Sequence, residues 1–333
     1  MPLTSDLAIT ASKLDPSLVT EQTKKFNSNL IDLQKSGPKW YEVGAAKYRP
    51  MRWNGETPFP APKVLDRGKN ITLPSRESGR VVPCRVFAPE TGRSKGVFYH
   101  IHGGGWVLQS EAFQDPMLAH YADSTGLTVI SVGYRLAPED PYPAGNEDCF
   151  DVGEWLVDHA ELQYGGALHF ISGDSAGAHL SVCTAFELLQ SRPTFAFKGL
   201  ILNFGCYDLA GMLPAAHLFD LGLILDKDIM DHYMDAYLPG KSEKEKRDPK
   251  ISPFFADLSK LKLPRALFTC GTLDPLLDDS IMFCTRWVMA GGEGVLKLYP
   301  GAPHGFNFFP LEGTEQTRIV LDDIATFVKD HSP

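Results

Sequence analysis

The sequence predicts an α/β fold in which a central, mostly parallel sheet is covered by helices on both faces. The first observation is a series of short, almost continuously apolar runs, which is typical of strands buried on both sides. The second is that segments with helical periodicity lie between many of these runs. Alternation of the two kinds of segment is the pattern of parallel strands joined by helical crossovers.

The strand-like runs begin after about residue 70 and continue almost to the C-terminus. They cover residues 81–87, 96–101, 128–132, 168–172, 199–204, 266–270 and 295–299. The helix-like segments between and after them cover residues 113–124, 146–159, 176–189, 280–290 and 315–329. With 333 residues, the chain is long enough to form one or two domains with a large core.

Two regions depart from this alternation. Residues 1–62 hold helix-like sequence and end in a Pro- and Gly-rich connector, but they contain no strand of core quality. The stretch of about 208–255 contains a helical pattern at 227–238 and a charged run at 241–248, which is expected to be a solvated loop. We therefore expect an N-terminal segment followed by a main domain, residues 63–333, that carries an insertion.

Composition and charge exclude several classes of protein. The net charge of −9 disfavours nucleic acid and anionic membranes as partners. No window is long and apolar enough to span a bilayer, and the N-terminus lacks the features of a signal peptide, so a cytoplasmic location is expected. The six cysteines are scattered without a C-x-x-C motif, which favours buried free thiols.

The most informative motif is Gly173-Asp174-Ser175-Ala176-Gly177, which lies between a strand-like run and a helix-like segment. G-x-S-x-G in this context is typical of a nucleophile elbow, a sharp turn that exposes the serine hydroxyl. Side chains two positions on either side would crowd such a turn, so glycine is favoured there. The motif therefore predicts that Ser175 is a nucleophile.

A nucleophilic serine requires a histidine as base and a carboxylate that orients the histidine. Asp274 and His304 each follow a strand-like run, and they come after Ser175 in the order that hydrolases with this elbow use. Asp278 and Asp279 are alternative orienting acids, although they fit the first turn of a helix better. Asp274 is also compatible with a helix N-cap, and His304 with a structural loop histidine.

The segment His102-Gly103-Gly104-Gly105-Trp106 also follows a strand-like run. Glycines allow backbone N–H groups to approach the oxygen on which negative charge develops, as in an oxyanion hole. A phosphate-binding loop is disfavoured because the Lys-Ser/Thr pair and the G-x-G-x-x-G spacing are missing. His100 and His102 form an H-x-H pair, but the sequence offers no evident third metal ligand, so no metal is predicted.

Five motifs together resemble the hormone-sensitive-lipase-like esterases of the α/β-hydrolase superfamily over roughly residues 70–330. The motifs are His102-Gly103-Gly104-Gly105, Tyr134-Arg135-Leu136-Ala137-Pro138-Glu139, Gly173-Asp174-Ser175-Ala176-Gly177, Asp274-Pro275-Leu276 and His304-Gly305-Phe306. The segment with Pro143-Ala144 and Glu147-Asp148-Cys149 is also similar to the family. The resemblance implies an eight-stranded α/β-hydrolase fold with a helical cap built from residues 1–62 and about 208–255.

The resemblance also implies the chemistry. Ser175, Asp274 and His304 would form the catalytic triad. The oxyanion hole would consist of backbone N–H groups from Gly104, Gly105 and Ala176.

The implied reaction is the hydrolysis of small-molecule carboxylic esters with short to medium acyl chains, without a cofactor. Trp106 is predicted to contact the substrate. A lactonase, an amidase or deacetylase, an acyltransferase and a non-catalytic ligand receptor are alternative functions on the same fold. A homodimer is among the assemblies that the sequence allows.

Overall fold

The computed structural model describes residues 9–311 and 313–332, and the first eight residues of the predicted N-terminal segment lie outside this part of the chain. One eight-stranded sheet runs through the molecule in the order β1-β2-β4-β3-β5-β6-β7-β8. The strands are β1 Lys69–Pro74, β2 Val81–Phe87, β3 Val97–Ile101, β4 Thr128–Val132, β5 Leu168–Asp174, β6 Gly199–Asn203, β7 Ala266–Leu273 and β8 Gly294–Pro303.

The predicted α/β class and the mostly parallel sheet are confirmed. The pairs β1/β2 and β2/β4 are antiparallel, and all the other neighbours are parallel. All residues of β3, β4 and β6 are buried, which explains their continuous apolar sequences. None of the apolar runs that were predicted to be strands covers β1, which is an edge strand in which only Leu73 is buried.

Eleven α-helices lie in the described part of the chain. They are α1 Glu21–Lys35, α2 Trp40–Val43, α3 Ala45–Asn54, α4 Asp115–Thr125, α5 Ala144–Tyr164, α6 Ala176–Ser191, α7 Pro214–Leu218, α8 Lys227–Tyr237, α9 Glu243–Lys246, α10 Leu277–Met289 and α11 Glu315–His331. Helices α4 and α11 pack on one face of the sheet, and α5, α6 and α10 pack on the other. Each face therefore has its own hydrophobic core.

The two regions that departed from the alternation, residues 9–62 and 208–255, lie together near the carboxyl ends of the parallel strands. Trp40 of the first region stacks on Tyr233 of the second, with ring centroids 5.1 Å apart. The N-terminal region is tied to the main fold by Asn27, whose Nδ2 donates to Gly301 O at 2.9 Å. We call these two regions the cover segments.

One local prediction about the cover segments is wrong. The charged run 241–248 is exposed as expected, but part of it forms the short helix α9 instead of a loop. Ser242 and Glu245 make reciprocal side-chain to backbone hydrogen bonds at its start. Such a capping box satisfies N–H groups that would otherwise stay unpaired, and it nucleates a helical turn in polar sequence.

Candidate active site

Ser175 lies in the sharp turn between β5 and α6. Its backbone has φ 57° and ψ −119°, which is a strained conformation for a residue with a side chain. A Cβ on Gly173 would come within 2.1 Å of Gly177 O, and one on Gly177 within 2.0 Å of Ile101 O. The two outer residues of the motif must therefore be glycine for this turn to close.

His304 bridges Ser175 and Asp274. Its Nε2 lies 2.8 Å from Ser175 Oγ, and its Nδ1 lies 2.9 Å from Asp274 Oδ2. A neutral imidazole that donates from Nδ1 to the carboxylate accepts at Nε2 from the serine hydroxyl. The Phe204 ring packs edge-on against His304 at 4.9 Å. The structure thus brings together three side chains that are far apart in the sequence, with the geometry of a proton relay.

The structure distinguishes Asp274 from the two alternative acids. Asp274 is 2 % exposed, and its second oxygen accepts the Leu276 N–H at 2.8 Å, which fixes the carboxylate at the start of α10. Asp278 and Asp279 lie in the first turn of α10, as expected. Their carboxylates accept N–H groups from the loop after β6 and from α7, and neither makes a hydrogen bond to His304.

Asp279 is fully buried where the second cover segment leaves the sheet. Its Oδ1 accepts the N–H groups of Tyr207 and Asp208 at 2.8 and 3.0 Å. Burial disfavours the charged carboxylate and raises the pKa of Asp279 to about 7, although the two N–H groups oppose this shift. Asp279 therefore has a structural role at this loop.

The loop 103–105 after β3 lies over the serine. Gly104 and Gly105 have φ of 98° and 61°, a region that glycine enters without cost. In the described part of the chain, the N–H groups of Gly104, Gly105 and Ala176 donate to no backbone acceptor. Free N–H groups beside a nucleophile can stabilise an oxyanion.

The two histidines before the glycines hold the loop and the elbow in place. His102 Nδ1 lies 2.8 Å from Gly103 O, and its ring stacks on Tyr134, whose hydroxyl donates to His102 O at 3.0 Å. Burial lowers the pKa of His102 to about 3, so the ring is neutral. His100 contacts Asp174 instead. The described residues form no cluster of three His, Cys, Asp or Glu side chains that could hold a metal ion.

A buried polar network that was not predicted from the sequence lies beneath the elbow. Asp174 Oδ1 accepts from Asn203 Nδ2 at 2.9 Å and from Asn307 Nδ2 at 2.7 Å. Its Oδ2 lies 3.0 Å from His100 Nε2. The carboxylate therefore connects β3, β6 and the loop that carries His304 directly under Ser175. An acidic residue inside an otherwise apolar elbow motif was the available signal, because a buried charge needs partners.

A large cavity of about 1280 Å³ opens above the serine. Ser175, His304 and the glycine loop line its floor, and the two cover segments form much of its wall. Trp40, Phe59 and Tyr233 of the cover segments are among the aromatic residues that line the cavity. The wall is mainly apolar, as in most small-molecule sites.

Trp106 also borders the cavity, but its ring is only 4 % exposed. It stacks on Tyr237 with centroids 4.5 Å apart, and its Nε1 donates to His179 Nδ1 at 3.2 Å. His179 is fully buried, which lowers its pKa to about 4, and its Nε2 donates to Ile251 O. The main observed role of Trp106 is thus packing, and its contact with substrate stays a prediction.

The fold, the elbow and the three bridged side chains define a class of protein. A family described as "alpha/beta hydrolase fold" matches residues 98–308, and the chain belongs to it. Within that fold, it belongs to the hormone-sensitive-lipase-like esterases, as the motifs suggested.

Relatives and solved structures agree with this assignment. Carboxylesterase NlhH of Mycobacterium tuberculosis is 34% identical over 69% of this chain and 72% of its own length. An arylesterase of Saccharolobus solfataricus is 29% identical over 95% of this chain and 98% of its own. The solved hyperthermophilic esterase of Pyrobaculum calidifontis is 29% identical, with a TM-score of 0.73 over 95% of this chain and 93% of its own.

Proposed function

We propose that this member of an esterase family hydrolyses carboxylic esters with short to medium acyl chains through an acyl-enzyme intermediate on Ser175. The observation that carries the proposal is the continuous set of short contacts from Ser175 Oγ to His304 and on to Asp274. A serine hydroxyl is a weak nucleophile without such a base, and the contact supplies one within hydrogen-bond distance.

In the first half of the proposed reaction, His304 Nε2 takes the hydroxyl proton as Ser175 Oγ attacks the ester carbonyl. The tetrahedral intermediate then collapses, and the alcohol leaves with the proton from Nε2. Water enters next, gives a proton to Nε2, and its oxygen attacks the acyl carbon. Ser175 leaves with that proton, and the carboxylic acid is released. Asp274 holds the imidazole in the required tautomer and stabilises its charged form.

The intermediate carries a negative oxygen, which we assign to the N–H groups of Gly104, Gly105 and Ala176. The free donors and the turn geometry of the loop support this assignment. Donors fixed by the fold need no reorganisation during the reaction, so they favour the charged intermediate over the neutral ester.

We propose that the cover segments act as a cap that selects the ester, and that residues 63–333 form the catalytic domain that carries the second segment as an insertion. Two contacts place this region close to the site. A Cβ on Gly105 would come within 2.3 Å of the Tyr233 ring, so α8 packs directly on the glycine loop. Arg49 of α3 donates to Val107 O at 2.7 Å, which holds the first segment to the residues that follow the same loop.

Substitution of Ser175 tests the function. Parent protein and Ser175→Ala are assayed with a series of 4-nitrophenyl esters from acetate to dodecanoate. We expect the parent to prefer the shorter esters, and the variant to lose about 10⁴-fold or more in kcat. Phosphonylation by an organophosphate, followed by mass spectrometry of the peptide that contains residue 175, reports the nucleophile directly. Parent-like activity in the variant would refute the assignment.

A further inference from the structure

The cavity wall contains a cation that the proposed ester hydrolysis does not use. Arg52 lies on α3 and lines the same cavity as Ser175. Loss of water contact lowers the pKa of its guanidinium, and the described residues place no carboxylate within ion-pair distance of it. A largely desolvated arginine without an anionic partner is costly for the fold, so its position needs an explanation.

The hydrogen bonds of Arg52 leave one edge of the guanidinium free. Its Nη1 donates to Thr57 Oγ1, Phe59 O and Pro60 O at 3.3, 3.1 and 3.0 Å. Among the residues that the structure covers, neither Nε nor Nη2 has a hydrogen-bond acceptor. These two atoms form the side-on fork that matches the two oxygens of a carboxylate.

Two aromatic rings lie close to the guanidinium group. The guanidinium carbon lies 5.5 Å from the Phe59 ring centroid and 5.3 Å from that of Phe113. Contacts on Nη1 and on both rings reduce the freedom of a side chain that is otherwise flexible. A fork held in advance loses little entropy when it binds an anion.

The neighbouring wall provides more unpaired polar atoms. Gln114 follows Phe113 in the chain, is 4 % exposed, and lines the cavity. Neither polar atom of its amide has a hydrogen-bond partner in the described part of the chain. His120 lies further along α4, and its Nε2 atom also has no partner there. Buried polar atoms are usually hydrogen-bonded, and a polar ligand group in the cavity would supply partners for these three atoms.

The charge of the cavity wall favours an anion. Its described lining contains four cationic residues, Lys39, Arg49, Arg52 and Lys63, but only one carboxylate, Asp174. That carboxylate lies under the elbow, bound by two amides and a histidine. Lys39 and Arg49 are paired with Asp228 and Glu139, which leaves Arg52 and Lys63 as the lining cations without an ion-pair partner among the described residues. These two still exceed the single lining carboxylate, in a chain with a net charge of −9.

We propose that Arg52, with Gln114 and His120 on the wall of the same cavity, binds a carboxylate on the substrate, so that the preferred esters are monoesters of dicarboxylic acids. The inference rests on the proposed ester hydrolysis and names the substrate class for the same site. The ester carbonyl lies at Ser175, and the distal carboxylate lies against the Nε and Nη2 atoms of Arg52.

Matched esters test this subsite. The monoethyl esters of succinic, glutaric, adipic and suberic acid are compared with ethyl butanoate, pentanoate, hexanoate and octanoate, which replace the carboxylate with a methyl group. Released ethanol gives kcat/KM for each. We expect the parent to favour the carboxylate member of at least one pair. Activity on the neutral esters separately reports the proposed function.

Arg52→Gln removes the charge and the fork. We expect it to lower kcat/KM for the favoured carboxylate ester about 10- to 100-fold more than for its neutral match, mainly through KM, because hydrogen bonds to charged groups are worth about 1.5–3 kcal/mol. Arg52→Lys should lose less, since it keeps the charge. Arg93→Gln makes the same change at an exposed arginine outside the cavity and should keep the parent ratio.

A direct measurement of ligand binding tests the subsite without requiring ester hydrolysis. Calorimetry with monoethyl adipate compares Ser175→Ala with the double variant Ser175→Ala/Arg52→Gln, and about tenfold weaker binding is expected for the double variant. Equal losses on both members of a pair would show that Arg52 is structural and overturn the proposal. A parent that rejects every carboxylate ester while it cleaves the neutral ones would also overturn it.

Discussion

The carboxyl edge of the sheet and the cover segments above it are built in different ways. At the sheet edge, Asp174 and Asp274 are almost completely buried, and protein groups donate hydrogen bonds to both oxygens of each carboxylate. The cover segments are joined to each other largely by aromatic stacking, as between Trp40 and Tyr233, and by the ion pair of Lys39 and Asp228, whose side chains are 33% and 59% exposed.

We infer from this difference that the sheet edge carries out the proposed reaction and that the cover segments select the substrate. Buried and fully satisfied polar networks hold atoms in one arrangement, as a proton relay requires. Apolar stacking depends less on orientation, so a wall made this way changes shape with few substitutions. We expect changes at the sheet edge to lower kcat for every ester, and changes in the cover segments to alter which ester is preferred.

The largest expected effect comes from Asp274→Asn. The amide cannot hold the imidazole in the tautomer that accepts at Nε2, so we expect kcat to fall about 10⁴-fold for all esters. Asp278→Asn makes the same change on the next turn, at a carboxylate that accepts Ala215 N, and should retain parent-like kcat. Steady-state kinetics on a neutral ester measure kcat for the parent and both variants. Similar losses in both variants would contradict the role of Asp274.

Ion pairs in the two regions should differ in strength. Asp115, which is fully buried under the sheet, accepts Arg85 Nε at 3.1 Å and Leu65 N at 2.9 Å. We expect Asp115→Asn to lower the free energy of unfolding by about 3–5 kcal/mol, because it leaves a buried guanidinium without its counter-charge. Asp228→Asn breaks the exposed pair with Lys39 and should cost less than about 1 kcal/mol. Urea unfolding measures both, and equal costs would refute the contrast.

Trp40→Ala should change selection more than catalysis. Loss of the stacked ring widens the cavity and removes buried apolar surface, so we expect the unfolding free energy to fall by about 3 kcal/mol. The ratio of kcat/KM for octanoate to that for acetate should rise by about tenfold. Trp155→Ala removes a tryptophan that stacks on His159 away from the cavity, and it should keep the parent ratio. An unchanged ratio for Trp40→Ala would contradict the selecting role.

Asp279 gives a pH test at the junction of the two regions. Its folded pKa of about 7 exceeds the usual value of 3.8, so between these values the native state binds more protons than the unfolded state. Stability from this group is therefore present at low pH, and it falls by up to about 1.4 kcal/mol per pH unit as pH rises towards 7. Urea unfolding of Asp279→Asn at pH 5, 6 and 7 should lack this decline. If Asp279→Asn showed the same dependence of unfolding free energy on pH as the parent, the prediction would be refuted. Asp278→Asn is the control and should keep the parent's pH dependence.

Much of the fold was predictable because its signals are local. Strands β2 and β4 have the predicted bounds, since both are short apolar runs ended by turn residues. Strand β1 was missed because an exposed edge strand has no continuous apolar pattern. Helix α9 was taken for a loop because its stability comes from a capping box and not from an apolar face.

The candidate site was predictable as a set of residue types, but not as a geometry. Sequence order and strand ends indicated Ser175 and His304, while Asp274, Asp278 and Asp279 remained open alternatives for the acid. Only folding brings residues 175 and 304 into contact and turns Asp279 away towards Tyr207. The network around Asp174 could not be predicted, because its partners lie far away in the chain. The free fork of Arg52 could not be predicted, because it lines a cavity that only the folded chain forms.

The sequence by itself determined the α/β class, the elbow and the order of the candidate nucleophile, acid and base, because steric limits on a tight turn and burial on a strand are written in neighbouring residues. Tertiary structure decided which acid meets the imidazole, how the cover segments enclose a cavity of about 1280 Å³, and where an unpaired cation lines that cavity. These properties depend on distances between segments that are far apart in the sequence, and such distances are set by packing of the whole chain.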